Sequence, residues 1–300
     1  MLRFLILFLI FFSQGFCKER DMTFYCKKAL HKIVGQHSIS GIDYIYCINA
    51  KKDLKRFKTL KKAFGKYDIV PYRFDAVDPT RLSYKTLFNI GYNTARGTNG
   101  TLATLAMKSG KNVILQQYPM TMPRSTYFHQ QLTLRDIAHN LNYFSCIFDA
   151  YKSKYKSIWI MTDDATILVN PNILTGYLIK LDMKHPGWDV LYTDKDSRDP
   201  RSISFAEIAH PIRPDIEFDS EENYKAREGT AGCIRRVGLR TGAESFLLSK
   251  RGINKIVQYY KKHGFFIPFE VELQIIPDLK AYYIHDEVVS DGSYGHETDG

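Results

Sequence analysis

Two adjacent carboxylates, Asp163 and Asp164, stand at the end of a short apolar run, Ile158 to Met161. A run of that length and composition predicts a strand buried on both faces of a parallel sheet. In an open α/β sheet, ligands settle beyond the carboxyl ends of the strands, so acids at such an end are placed to meet one. Hard oxygen donors of this kind suit Mg²⁺ or Mn²⁺, which share their coordination with substrate phosphates. The pair reads equally as a solvated strand-end turn, where aspartate is common. Other residues with chemistry to offer are Asn49, Arg56, Asp78 before Pro79, Glu270 and Glu272 after Pro268, and the late His285.

These side chains need elements to hold them. Ile42 to Ile48 is rich in β-formers and predicts a first strand. Leu54, Phe57, Leu60 and Phe64 form the apolar stripe of a basic helix that Gly65 ends. Ile69 to Phe74 predicts a second strand, and strand–helix–strand is the βαβ unit of a parallel sheet. Helical spacing from Leu132 to Tyr155 leads into the acid-bearing strand, and Pro171 opens a helix through Leu181. Trp188 to Tyr192 and Gly242 to Leu248 predict further strands, and Ile253 to Tyr260 a helix. Residues 79–130 read as an elaborated insertion, with a short helix at Leu102 to Met107 and a short strand at Asn112 to Leu115. The polar, proline-bearing stretch 194–229 reads as a long surface loop.

The chain of 300 residues supports a single domain over 18–290, with a disordered tail at 291–300. A short helix is expected at Lys27 to Val34. Arg3, the apolar Phe4 to Phe12, and the small residues Ser13 and Gly15 match a cleaved export signal over 1–17, an uncleaved anchor being the alternative. The apolar run is shorter than the roughly 20 residues that span a bilayer. The implied address is a secretory pathway or a bacterial envelope. The sequon Asn99 to Thr101 matters only in a eukaryotic lumen. None of the five cysteines has CxxC or zinc spacing, and Cys47 and Cys146 read as small buried hydrophobes. The formal charge is +10, with a basic cluster from Lys51 to Lys66. Such a rim attracts nucleotide diphosphates, anionic glycolipids, a membrane surface or nucleic acid. Nucleic acid is not expected as a partner, because no zinc finger or RNP-type aromatic segment is present.

Segments in a fixed order carry a family resemblance. They are Tyr46-Cys-Ile-Asn49 with the basic run to Arg56, Phe74-Asp-Ala-Val-Asp78, Ile158 to Leu168, Thr241 to Gly252, and Ile267-Pro-Phe-Glu-Val-Glu-Leu273. Together they resemble the family 25 glycosyltransferases, which include lipooligosaccharide and collagen galactosyltransferases. The chain departs from the pattern at three places: Thr162 stands where the family has a first acid before Asp-Asp, Ser145-Cys146 lies near its Ser-His, and Glu270 takes the place of an Asp. The stretch 79–130 is also longer.

The resemblance implies a GT-A-type α/β fold, with a mostly parallel central sheet flanked by helices. It implies transfer of a sugar, galactose in the family, from a UDP-sugar to a hydroxyl of a glycan, glycolipid or protein. An inverting single displacement is part of that expectation. Asp163 and Asp164, with His285, would hold Mn²⁺ or Mg²⁺, a Lewis acid for the departing diphosphate. Asn49, Arg56, Asp78 and Asp163 would contact the donor nucleotide, Arg56 through charge-assisted hydrogen bonds. Glu270 is the leading general base and Glu272 the next, since aromatic neighbours raise a carboxyl toward neutrality. Each has a plainer reading: a turn for Asn49 and Asp78, a solvated helix charge for Arg56, lysine-paired acids at 270 and 272, a structural His285. The alternative for the whole chain is a transferase-like binding protein without catalysis.

Overall fold

In the computed structural model, residues 21–29, 37–94, 102–110, 112–194, 213–216, 219–229, 232–240 and 242–290 are described. The expected export signal, the sequon, the tail and most of the helix expected at Lys27 to Val34 lie outside them.

Along the chain the strands are β1 (Tyr44–Asn49), β2 (Tyr72–Asp75), β3 (Tyr92–Asn93), β4 (Leu102–Ser109), β5 (Asn112–Pro119), β6 (Thr126–Phe128) and β7 (Ser157–Thr162). They continue with β8 (Thr166–Ile167), β9 (Val190–Tyr192), β10 (Ile234–Arg236), β11 (Ser245–Ser249), β12 (Ala281–Ile284) and β13 (Val289–Ser290). The helices are α1 (Leu54–Gly65), α2 (Tyr84–Ile90), α3 (Leu134–Ser153), α4 (Leu174–Lys184), α5 (Glu221–Arg227), α6 (Lys250–His263) and α7 (Phe269–Ile275).

Seven strands form the main sheet in the order β10-β12-β9-β11-β7-β1-β2. β2, β1, β7, β9 and β12 point the same way, while β11 and β10 run against them. β1, β7 and β9 are buried along their whole length, as expected for strands covered on both faces. Side chains alternate between two cores. Tyr44, Tyr46, Ile158 and Ile160 face α3 and α6, while Ile45, Cys47, Trp159 and Met161 face α1 and α4. Cys47 and Cys146 are buried, unbridged members of those cores.

The helices follow their sequence signals. Leu60 and Phe64 of α1 are buried, with Phe64 edge-on to Trp159, whereas Leu54 at its start is exposed. α3 opens on a capping box between Thr133 and Asp136.

The insertion differs from expectation. Leu102 to Met107 is not helical but belongs to β4, in a small sheet ordered β3-β6-β4-β5. Ala103 and Leu105 fill one core and Ala106 another, so β4 is apolar on both sides and carries no clear period of two. Gly110, with φ +58°, follows Ser109 at the turn into β5. The sheet is tied to the segment before α7: Tyr92 N–H donates to Phe265 O at 2.8 Å and His129 N–H to Phe266 O at 2.7 Å.

The described part of 194–229 is not all surface loop. It holds α5, and Arg213 is wholly buried.

The strand order contains a reversal of direction beside β1. From β1 the chain moves outward to β2, then returns to place β7 on the other side of β1. The carboxyl ends of β1 and β7 therefore flank a topological switch point, where open α/β sheets leave a crevice.

Candidate functional site

The switch point is bridged by a chain of polar side chains. Asn49 closes β1 and is almost fully buried. Its Nδ2 donates to Asp163 Oδ2 and, at 2.9 Å, to Asp53 O. Its Oδ1 accepts from Arg73 Nε at 2.6 Å, and Arg73 Nη1 pairs with Asp75 Oδ1 at 2.5 Å. Asp75, Arg73, Asn49 and Asp163 thus link the ends of β2, β1 and β7. Both N–H bonds of Asn49 are committed, so it orients Asp163 and offers no donor to a nucleotide. Arg73 fixes which way that amide points.

The two neighbouring acids have different surroundings. Asp163 is half-buried, and burial raises its carboxyl above the usual range. The Asn49 bond opposes that shift, Asp164 adds to it, and the Arg56 charge lowers it again. Arg56 is exposed on the first turn of α1. Asp164 is exposed and accepts from Thr162 Oγ1 at 2.5 Å.

Thr162 Oγ1 also lies 3.2 Å from Glu244 Oε2. The hydroxyl's one proton is shared between two carboxylate acceptors, the Asp164 contact being the shorter, and the Thr162 bond acts to lower the Glu244 carboxyl. Burial, followed by the charges of Asp164 and Asp194, pushes the Glu244 carboxyl up to about 7. Glu244 N–H donates to Asp194 Oδ2 at 2.9 Å, and Asp194 is held by Arg240 at 2.8 Å.

α3 lines the other wall. His139 stacks on Tyr143 with ring centres 4.7 Å apart, and Tyr143 donates its hydroxyl to Ala243 O at 2.9 Å. His139 keeps solvent-exposed surface, and partial desolvation of the ring lowers its proton affinity, while the charges of Asp136 and Asp164 restore part of it. Glu270 stands on the first turn of α7. Its charge is felt at Tyr143 and Glu244, and burial, then Asp136, raises its carboxyl.

The other expected residues go elsewhere. Glu272 is wholly buried and paired with Arg213, with Tyr259 Oη 3.3 Å away. Arg213 also donates to His263 O at 2.7 Å and Gly264 O at 2.9 Å. A residue so enclosed meets no acceptor, so the base role expected as second choice for Glu272 is withdrawn in favour of a structural one. Asp78 accepts from Thr80 N–H at 3.0 Å and shapes its own solvated turn. His285 is exposed, its backbone N–H bonded to Cys233 O at 3.0 Å. Among the described residues no contact joins it to Asp163 or Asp164.

Glu244, Arg73, Asp194 and His139 were not singled out from the sequence. Glu244 sits inside the segment Thr241 to Gly252 and Arg73 immediately before Phe74. Asp136, His139 and Tyr143 share one helix face by their i, i+3, i+7 spacing.

Among the described residues no three His, Cys, Asp or Glu side chains converge as a metal cage. Asp163 and Asp164 each keep a carboxylate oxygen outside the bonds given above. That donor set fits a hard divalent ion that takes its remaining ligands from phosphate and water. No family model and no curated protein matches the chain.

Proposed function

We propose that the chain is a nucleotide-sugar-dependent glycosyltransferase with a GT-A-type arrangement, moving a hexose, galactose by the family 25 resemblance, to an acceptor hydroxyl. The observation that carries this reading is the Asn49–Asp163 bond across the switch point, which fixes one acid of a pair in the crevice where an α/β sheet takes its ligand. The Arg56 charge acts on Asp163, the Asp164 charge acts on Glu244 and His139, and the Glu270 charge acts on Glu244.

Asp163 and Asp164 would hold Mn²⁺ or Mg²⁺, which when bound supplies Lewis-acid stabilisation to the leaving diphosphate. Arg56 adds charge-assisted hydrogen bonds to the same diphosphate. Glu270 takes the proton of the acceptor hydroxyl as its oxygen bonds to the sugar's anomeric carbon and the bond to UDP breaks. A carboxyl raised by burial is suited to that transfer near neutral pH. The acceptor is a hydroxyl of a glycan, glycolipid or protein in an exported compartment.

The test is titration calorimetry with UDP, with and without Mn²⁺, alongside UDP release from UDP-galactose. Asp164→Ala is expected to abolish the Mn²⁺-dependent part of UDP affinity while leaving the melting temperature within a degree or two, as surface changes usually do. Unchanged affinity would count against the assignment. The second reading, a transferase-like protein that binds without turnover, is favoured by Thr162, which supplies a hydroxyl where the family supplies an acid. UDP binding with no sugar transfer to any glycan, lipid or protein acceptor would select it.

A further inference from the structure

The helix-covered face formed by α1 and α4 combines two features that no core requirement explains. Between 51 and 66 the chain carries eight lysines and arginines against one acid, Asp53. Leu60 and Phe64 turn inward, and Lys55, Lys58, Lys62 and Lys66 lie exposed on the outer surface. Beside this helix is a run of apolar side chains left in water. Leu168 is 50% exposed, Ile179 57% and Met183 78%, with Val169 and Ile173 between them.

The two features meet at one end: α1 packs against β8, and Asn172 Nδ2 donates to Tyr67 O at 3.4 Å, joining the end of α1 to the start of α4. Leu60, Phe64, Leu174, Leu178 and Leu181 share one core, so both helices cover the same side of the main sheet. On α4, Ile179 and Met183 are one turn apart and flanked by exposed Lys180 and Lys184. The acid among them, Asp182, accepts from Trp188 Nε1 at 2.7 Å. Apolar side chains at the centre, lysines around them and a strongly basic helix alongside make the pattern of a surface that rests in a lipid headgroup layer.

We propose that this face docks peripherally on an anionic lipid bilayer. Ile179, Met183 and Leu168 enter the interface, while the α1 lysines meet the headgroups. Among the described residues no helix is long and apolar enough to cross a membrane. Leu168 and Val169 follow the acid pair by four and five residues, which places the docked edge beside the crevice. The inference does not depend on the transferase reading.

The experiment is vesicle flotation of the full chain with phosphatidylcholine alone and with phosphatidylcholine containing phosphatidylserine, at several salt concentrations. The wild type is expected to float with the anionic vesicles and to be released by salt. Lys55→Gln, Lys58→Gln and Lys62→Gln together should weaken retention about a hundredfold, at about fivefold per charge. Ile179→Ser with Met183→Ser, which leaves the charge unchanged, should weaken it about tenfold or more. Both sets alter exposed side chains, and unchanged melting curves would show intact folding. Absence of the wild type from anionic vesicles overturns the proposal. So does loss in the lysine variant with full retention in the serine variant, the result expected of adhesion to any polyanion.

Discussion

Arg213→Met tests whether the Arg213–Glu272 pair is architecture or catalytic machinery. The arginine is wholly buried and bonded to Glu272, Asp215 and the carbonyl oxygens of His263 and Gly264. Its guanidinium also lies 5.3–5.8 Å from the ring centres of Tyr92, Tyr259 and Phe266. Methionine keeps much of the volume but leaves Glu272 buried without its counter-charge. Breaking a buried pair from one side costs about 3–5 kcal/mol. At about 2 cal/mol/K per residue, a chain of this size has an unfolding entropy near 0.6 kcal/mol/K, so the melting temperature should fall by about 5–8 °C. The loss has a pH signature. Burial already raises the Glu272 carboxyl, and Arg213 opposes that. Without the arginine the folded-state pKa climbs further above its unfolded value, so stability is present at low pH and lost as pH rises. Scanning calorimetry at pH 5 and pH 8 should therefore show the greater deficit at pH 8, and adding Glu272→Leu should recover most of it. A fall of less than about 2 °C at pH 8, or an equal deficit at both pH values, would refute the reasoning.

Three other outcomes follow from the site. Arg73→Gln releases the Asn49 amide, so Asp163 loses a fixed donor; Mn²⁺-dependent UDP affinity should fall about tenfold or more by calorimetry, the value of a charged hydrogen bond. Glu244→Gln removes a carboxyl whose folded value is raised from 4.5 to about 7. The wild type should therefore lose stability as pH rises from 4.5 to 7, and the variant should show a flatter denaturant-midpoint profile over that window. Glu272→Gln should leave UDP-galactose turnover unchanged, and a collapse of turnover in a folded variant would return Glu272 to the catalytic candidates.

The parallel core was legible because burial on both faces leaves a simple mark. Ile158 to Met161 and the β-rich run before Asn49 are short, apolar and β-branched or aromatic, and they form β7 and β1. α1, α3, α4 and α6 could be read because one stripe of each is apolar, with a capping Thr133 or Ser249, a terminal Gly65 or Gly264, or a preceding Pro171 to mark an end. The insertion could not be read in the same way. β4 buries Leu105 on one side and Ala106 on the other, so its pattern imitates a helix turn. Arg213 was hidden for another reason. A buried cation in a polar, proline-bearing stretch looks like a solvated one until its partner, 59 residues later, is placed against it.

The site was half legible for a related reason. Sequence reasoning locates acids that are neighbours in the chain, and Asp163 and Asp164 are neighbours. Their partners come from other strands and helices. The antiparallel register sets Ser245 opposite Met161, which carries Glu244 to Thr162, where the two residues also share a backbone bond of 3.1 Å. Glu244 thus stands beside position 162 and shares the Thr162 hydroxyl with Asp164, although among the described residues the acids do not converge on one point as a metal cage. Counting acids along β7 alone makes Thr162 a loss. Counting them across the β7–β11 pair adds Glu244 to Asp163 and Asp164, with its carboxyl raised to about 7. Because Thr162 bonds both Asp164 and Glu244, a substitution at 162 alters the surroundings of both carboxyls, and Glu244 must be altered together with Thr162 for the effect to be interpretable.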